Sequence, residues 1–170
     1  MTPRARSRGT VLPIVLLLTS MMLVTAGAWL ESSIVATRAA GSLRDRVQAF
    51  HAADGALARC SRLVVDAPGQ PQAASVGEPG RWRMKASFEG AGAPAIMPFA
   101  AWPHAIRAPQ CLIEAWSRSA DSADAAARSY LLTARGFGST SDSEAWLQLQ
   151  IEVAESGTTR RWRRVVAKPF

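Results

Sequence analysis

The chain has 170 residues, of which 48% are hydrophobic and 19% are charged, and six Trp and five Phe supply bulky side chains for a core. This composition excludes wholesale disorder and a collagen-like chain, and it suits one modest domain after an N-terminal stretch of 30 unusual residues. The formal charge of +7 sits mainly at the two ends of the chain. Residues 1–9 hold three Arg and no acid, and residues 160–168 hold four Arg and one Lys, so a single basic domain is also excluded.

The first predicted element is a membrane-spanning helix over residues 10–30. These 21 residues carry no charged side chain and follow the Arg-containing residues 1–9. At about 1.5 Å per residue they make a helix of roughly 32 Å, which matches a hydrocarbon core of about 30 Å. Because basic residues stay on the cytoplasmic side, we expect a single pass with a cytoplasmic N-terminus and an exported remainder.

A cleaved secretory signal is the alternative to this anchor. Ala26-Gly27-Ala28 has the small-residue pattern that signal peptidase recognises after an apolar stretch. Neither a turn nor a Pro-rich loop follows this pattern, and helical periodicity continues beyond it, which favours the uncleaved anchor.

Residues 31–65 are predicted to continue the same helix and to dock by one apolar face. Their apolar side chains recur mostly every three, four or seven residues, with charged and polar side chains between them. The apolar positions are Ile34, Leu43, Val47, Phe50, Leu57 and Val64. We therefore expect one helix from Thr10 to about Val65.

Residues 66–170 are predicted to form an exported head on a small antiparallel sheet. A Gly- and Pro-rich loop leads to residue 80, and four Pro exclude a central strand between residues 90 and 109. Five strands are predicted, over residues 82–88, 110–116, 130–137, 146–153 and, at an edge, 162–167. The period-two alternation is clearest over residues 146–153. The predicted fold class is α+β, a long N-terminal helix packed on a small antiparallel sheet.

The chain has two cysteines, Cys60 near the end of the predicted helix and Cys111 at the start of the second predicted strand. The predicted topology exports both, so a disulfide is the simpler interpretation. By the chain-entropy account, closing a loop of about 50 residues adds roughly 4 kcal/mol of stability. The alternative is two unpaired buried thiols.

Two blocks of sequence carry a resemblance to a known family. The N-terminal block is Ala40-Gly41-Ser42-Leu43-Arg44-Asp45-Arg46 with Ala49-Phe50 and Ala52-Ala53-Asp54-Gly55-Ala56-Leu57. The C-terminal block is Cys111-Leu112-Ile113-Glu114 with Tyr130-Leu131-Leu132-Thr133-Ala134-Arg135-Gly136-Phe137-Gly138. With a basic leader ending in Gly9, residues 9–153 resemble type IV pilin precursors, and within them the PilX-type minor pilins.

This resemblance implies a pilin-like fold and a subunit of a filament. A prepilin peptidase would cleave between Gly9 and Thr10, which makes residues 1–9 a leader peptide and residues 10–30 a transmembrane and later pilus-core helix. The protein would start in the inner membrane with its head in the periplasm and then move to the pilus at the cell surface. Its partners would be membrane lipid, the peptidase, other minor and major pilins and, at a tip, an adhesin.

Two positions depart from the pattern of major pilins. The residue after cleavage is Thr10 where Phe is usual, which leaves methylation of the new terminus open, and Ile14 stands where a glutamate is usual. Loss of that buried carboxylate suits a subunit with no partner above it. The resemblance therefore implies a role in priming assembly or at the filament tip, without catalysis.

The residues themselves offer no catalytic, cofactor or metal pattern. The two histidines, His51 and His104, have no acidic partner at a suitable spacing, and the cysteines lack the spacing of a redox or zinc site. We therefore expect neither enzymatic activity nor a bound cofactor.

The basic C-terminal segment supports a second hypothesis. Guanidinium groups beside an aromatic ring can bind DNA, and this segment holds Arg160, Arg161, Trp162, Arg163 and Arg164. An edge strand whose charges prevent aggregation is the favoured interpretation. The runner-up function is a signal-anchored or signal-cleaved periplasmic binding domain unrelated to pili, with DNA as the ligand of this segment.

Overall fold

The computed structural model of the chain describes residues 11–66, 75–117, 128–165 and 167–170. The chain divides into two compact units, Met1–Leu43 and Arg44–Phe170. One helix, α1, covers Val11–Asp66 and contributes to both units. The prediction of a single long helix is confirmed over the described residues.

The first unit consists, in its described part, of residues 11–43 of α1. Every one of these residues is exposed. Pro13 lies in the first turn of the described helix, where its missing N–H has no helical partner to lose. The described part of this unit therefore has no core of its own.

The second unit is a sheet with residues 44–66 of α1 packed against it. The strands occur in chain order across the sheet, each beside the next. They are β1 Ser75–Val76, β2 Gln110–Ser117, β3 Arg128–Phe137, β4 Glu144–Ala154 and β5 Gly157–Arg163. β1 pairs with β2 in parallel, and the other pairs are antiparallel. The predicted α+β class, a long helix on a small antiparallel sheet, is confirmed.

The strand predicted over residues 82–88 is wrong. This segment forms two 3₁₀ helices, Arg81–Arg83 and Lys85–Ser87. The free edge of β2 is occupied by β1 and by Ile96, whose backbone exchanges two 2.8 Å hydrogen bonds with Cys111. Because β2 has no free edge for residues 82–88, their backbone groups bond mainly within the segment instead.

The bounds predicted for the last strand are also wrong. β5 begins at Gly157 and not at residue 162, because Gly157 adopts a φ of 140° that closes a tight turn after Ala154. The basic residues Arg160, Arg161 and Arg163 therefore lie in the strand itself.

The helix docks on the sheet by a face of small residues. Its buried positions are Ala49, Ala52, Ala53, Ala56, Leu57, Cys60, Ser61 and Val64. The predicted stripe is correct only at Leu57 and Val64. The other four predicted positions, Ile34, Leu43, Val47 and Phe50, are 45%, 63%, 46% and 47% exposed. Alanines replace them at the interface, and their short side chains let the helix lie close to the strands.

The sheet meets this helix with the alternating face of β4, as predicted. Leu149 and Ile151 are buried in the helix-side core, and Leu147 and Val153 pack against it. Gln148 lies on the opposite face and donates a 3.0 Å hydrogen bond to Thr133. The core therefore lies between α1 and the central strands β2, β3 and β4.

Candidate functional site

The apolar part of α1 is the first candidate functional surface. α1 is the one helix among the described residues that is long and apolar enough to cross a membrane, and none of its most apolar window is buried. Trp29 is 79% exposed and Leu23 is 76% exposed. An apolar surface of this size needs lipid or other helices around it.

The polar side chains of this segment are satisfied within the helix. The hydroxyl of Thr19 donates to the carbonyl of Val15 at 2.9 Å, and that of Thr25 donates to the carbonyl of Met21 at 3.0 Å. A hydroxyl that is bonded to its own helix can enter a low-dielectric environment at little cost. The segment is therefore apolar in effect as well as in composition.

The two blocks that carry the family resemblance meet in the structure at Gly136. This residue of β3 lies against α1 so closely that an added Cβ would overlap the backbone oxygen of Ala49 and the backbone nitrogen of Ala53. Alanine on the helix and glycine on the strand are therefore both required for this approach. The sequence patterns showed these residues but not the contact between them.

Asp45 forms a second link between α1 and the sheet. Its carboxylate accepts hydrogen bonds from the backbone N–H and the hydroxyl of Ser139, and from the hydroxyl of Thr140 at 2.7 Å. These hydrogen bonds, led by that of Thr140, hold the pKa of the Asp45 carboxyl well below its usual range. Asp45 thus fixes the β3–β4 loop to the helix while it is ionised.

Arg135 is the centre of a buried ionic cluster on the other face of the sheet. Its side chain is 4% exposed and lies 2.8 Å from Glu89 and 2.7 Å from Glu144. Its guanidinium also lies over the rings of Phe137, Trp146 and Phe170 at about 5 Å. An arginine within the apolar run of residues 130–137 was the signal in the sequence that such a cluster exists.

The two glutamates of this cluster are ionised to low pH. The hydrogen bond from Arg135 is the main reason why the pKa of Glu89 is lowered. Burial raises the pKa of Glu144, but the hydrogen bond and charge of Arg135 outweigh it, so that its pKa is lowered as well. The cluster therefore remains paired at neutral pH.

Cys60 and Cys111 form a disulfide, as predicted. The bond joins α1 to β2 across a sequence separation of 51 residues, and both side chains are fully buried. It lies in the same helix-side core as Ala56 and Leu132. It therefore fixes the second half of the docked helix segment, as Asp45 and Gly136 fix the first.

The predicted nucleic-acid contacts at residues 160–164 do not share one surface. Trp162 pairs with Leu149, which faces the helix-side core, whereas Arg163 pairs with Gln148 on the opposite face. Trp162 is 61% exposed, so the sheet at β5 extends beyond the cover of α1. Strand alternation thus divides the cluster between two faces.

The remaining predicted positions carry no site in the structure. The predicted cleavage residues Gly9 and Thr10 lie outside the described residues. His51 lies on the exposed side of α1 with its ring edge-on to Phe50, and His104 lies in a loop with a φ of 58°. Within the described ranges, no group of three metal-ligating side chains could hold an ion.

Comparisons with protein-family models, with curated proteins and with solved structures found no match to this chain.

Proposed function

We propose that this chain is a minor pilin of the type IV pilus, which primes filament assembly or sits at the filament tip. The observation that carries the proposal is the exposed apolar helix segment, none of which is buried by the residues that the structure describes. Such a surface needs lipid before assembly and neighbouring helices after it. The resemblance of residues 9–153 to PilX-type minor pilins indicates that the neighbouring helices are those of other subunits in a type IV pilus.

The same helix serves in the membrane and in the assembled filament. In the inner membrane, residues 10–30 are solvated by lipid. When the subunit is extracted, packing against other pilin helices replaces the lipid, and the small residues Ala26, Gly27 and Ala28 allow backbones to approach closely. Assembly is therefore an exchange of apolar partners and needs no catalysis.

The links within the second unit support this mechanism. Force applied to a subunit by its helix reaches the sheet through α1. Gly136, Asp45 and the Cys60–Cys111 disulfide hold residues 44–66 of that helix to the sheet at separate points. A head held in this way stays attached while the membrane segment is transferred.

A priming or tip position follows from Ile14. A glutamate here in a major pilin would pair with the subunit above, and an isoleucine offers no such charge. A subunit without this carboxylate suits a position that has no subunit above it.

The test is deletion of the protein in its native cell, with filaments counted by electron microscopy. We expect the deletion to reduce the number of pili, and the wild-type protein to restore it. A Gly9→Val variant should fail to restore pili because the leader cannot be removed, whereas Ser7→Ala, a matched leader change, should succeed. Pili at normal number in the deletion strain, together with absence of this subunit from sheared filaments, would refute the proposal.

A further inference from the structure

A cavity of about 360 Å³ lies on the face of the sheet that points away from α1. Its polar lining consists of Trp82, Arg83, Gln148, Arg163, Arg164 and Lys168. Gln148 places it on that face, because the neighbouring Leu149 points into the helix-side core. The apolar helix and the links that hold it do not contribute to this cavity.

The lining carries four cationic side chains and no acidic one. Arg163 and Lys168 are already paired, with Glu78 at 2.6 Å and with Glu144 at 3.3 Å. Arg83 and Arg164 have no ion-pair partner among the described residues. The cavity therefore holds two arginines without an ion pair in the described ranges, although the guanidinium of Arg83 lies 4.4 Å from the centroid of the Trp82 ring.

The indole of Trp82 adds an unused hydrogen-bond donor. Its Nε1 atom is buried and has no acceptor in the described part of the chain. An indole N–H can only donate, and a buried donor without an acceptor costs about 1–3 kcal/mol. Trp82 also lines the cavity, so its indole N–H resonance should respond to a group bound there.

We infer that this cavity binds a phosphate group through the guanidinium groups of Arg83 and Arg164. Phosphate offers several acceptor oxygens and a charge that matches two arginines, and the planar guanidinium binds it with two hydrogen bonds. A volume of about 360 Å³ also leaves room for a group attached to the phosphate. The phosphate could belong to a small ester or to a nucleic-acid backbone, and the inference does not depend on the pilus.

The test is a titration of the full-length protein in non-ionic detergent micelles with inorganic phosphate at constant ionic strength. The indole ¹⁵N–¹H resonance of Trp82, assigned by its loss in Trp82→Phe, reports on the cavity. We expect a saturable shift at millimolar phosphate. No shift, or a linear drift equal to that produced by chloride, would overturn the inference.

Two double variants separate the cavity from general surface charge. Arg83→Gln with Arg164→Gln should weaken phosphate binding by about tenfold or more. Arg160→Gln with Arg161→Gln removes the same charge from exposed positions outside the cavity and should change the affinity less than about twofold. Equal weakening in both would overturn the inference. Melting temperatures should stay close to that of the parent in both variants, because none of these arginines has an ion-pair partner among the described residues.

Two further ligands identify the source of the phosphate. If ribose 5-phosphate displaces inorganic phosphate from the Trp82 signal and a single-stranded oligodeoxynucleotide does not, the site takes small esters. If the oligodeoxynucleotide displaces it, the site takes the nucleic-acid backbone. Either result supports a phosphate site, and failure of both ligands to compete contradicts it.

Discussion

Gly136 is the residue at which the packing of helix on sheet tolerates least change. An added Cβ would overlap the backbone of α1 at Ala49 and Ala53, which cannot move without displacing the helix. The two alanines bring the helix close, and the glycine makes room for it. The same approach explains why Val47 and Phe50 of the predicted stripe lie outside the interface.

A Gly136→Ala substitution should therefore destabilise the second unit by about 3 kcal/mol or prevent its folding. Thermal unfolding of the full-length protein, followed by circular dichroism, measures the effect. Gly80→Ala is the matched control, because a Cβ at that position meets only the Arg83 side chain at an ordinary distance of 3.5 Å. Equal melting temperatures for Gly136→Ala and the parent would contradict the proposed close contact.

Arg135 is the residue that lowers the pKa values of two acidic side chains, Glu89 and Glu144. Glu89 and Glu144 have lowered pKa values in the folded protein, so they contribute stability above their ordinary pKa of 4.5 and lose it as the pH falls through the folded values. Without the guanidinium, the 8% exposed side chain of Glu144 would be a buried charge without its principal partner.

We expect Arg135→Met to cost about 3 kcal/mol at pH 7 and clearly less near pH 4, where the glutamates can take up protons. Urea unfolding at the two pH values tests this. Arg160→Met, at an exposed position, should cost less than about 0.5 kcal/mol at both. A loss for Arg135→Met that does not change with pH would show that packing, and not charge, accounts for its effect.

At the scale of elements, the disulfide between α1 and β2 closes a loop of 51 residues. By the chain-entropy account, its removal through Cys60→Ala with Cys111→Ala should cost about 4 kcal/mol. Thermal unfolding of the double variant measures this, and thiol titration of the denatured parent should find no free thiol. Two titratable thiols in protein isolated from its native compartment would contradict the bond.

The sequence predicted correctly those elements that are defined by their own residues and not by which strand or helix lies beside them. Alternation in β4 identified its buried face because Leu149 and Ile151 meet a core on one side only. The same alternation over residues 82–88 was misleading, since a strand also needs a free partner edge and β2 has none there. The start of β5 was predicted too late because it depends on the positive φ of Gly157. No pattern in the neighbouring residues marks this turn.

The contacts that define the candidate sites could not be predicted from sequence patterns, because the residues in contact are far apart in the chain. Asp45 and Thr140 lie 95 residues apart, and the cavity joins Trp82 to residues 163–165 and 167–169. Local periodicity carries no information about such pairs. An arginine in an apolar strand and a Gly-Phe-Gly run were visible in the sequence, but their partners were not.

For the whole molecule, the decisive property is an apolar helix segment that no described part of the chain covers. A soluble protein would bury such a surface or lose it by cleavage. A pilin keeps it, loses only the charged leader in front of it, and later buries it among other subunits. The proposed function therefore depends on where the mature chain begins.

The most direct measurement is the intact mass of the protein purified from the membranes of its native cell. We predict a chain that begins at Thr10, with or without one methyl group on the new terminus. A mass that corresponds to a start at Met1 would contradict processing by a prepilin peptidase. A mass that corresponds to a start at Trp29 would show that the apolar helix is a discarded secretion signal.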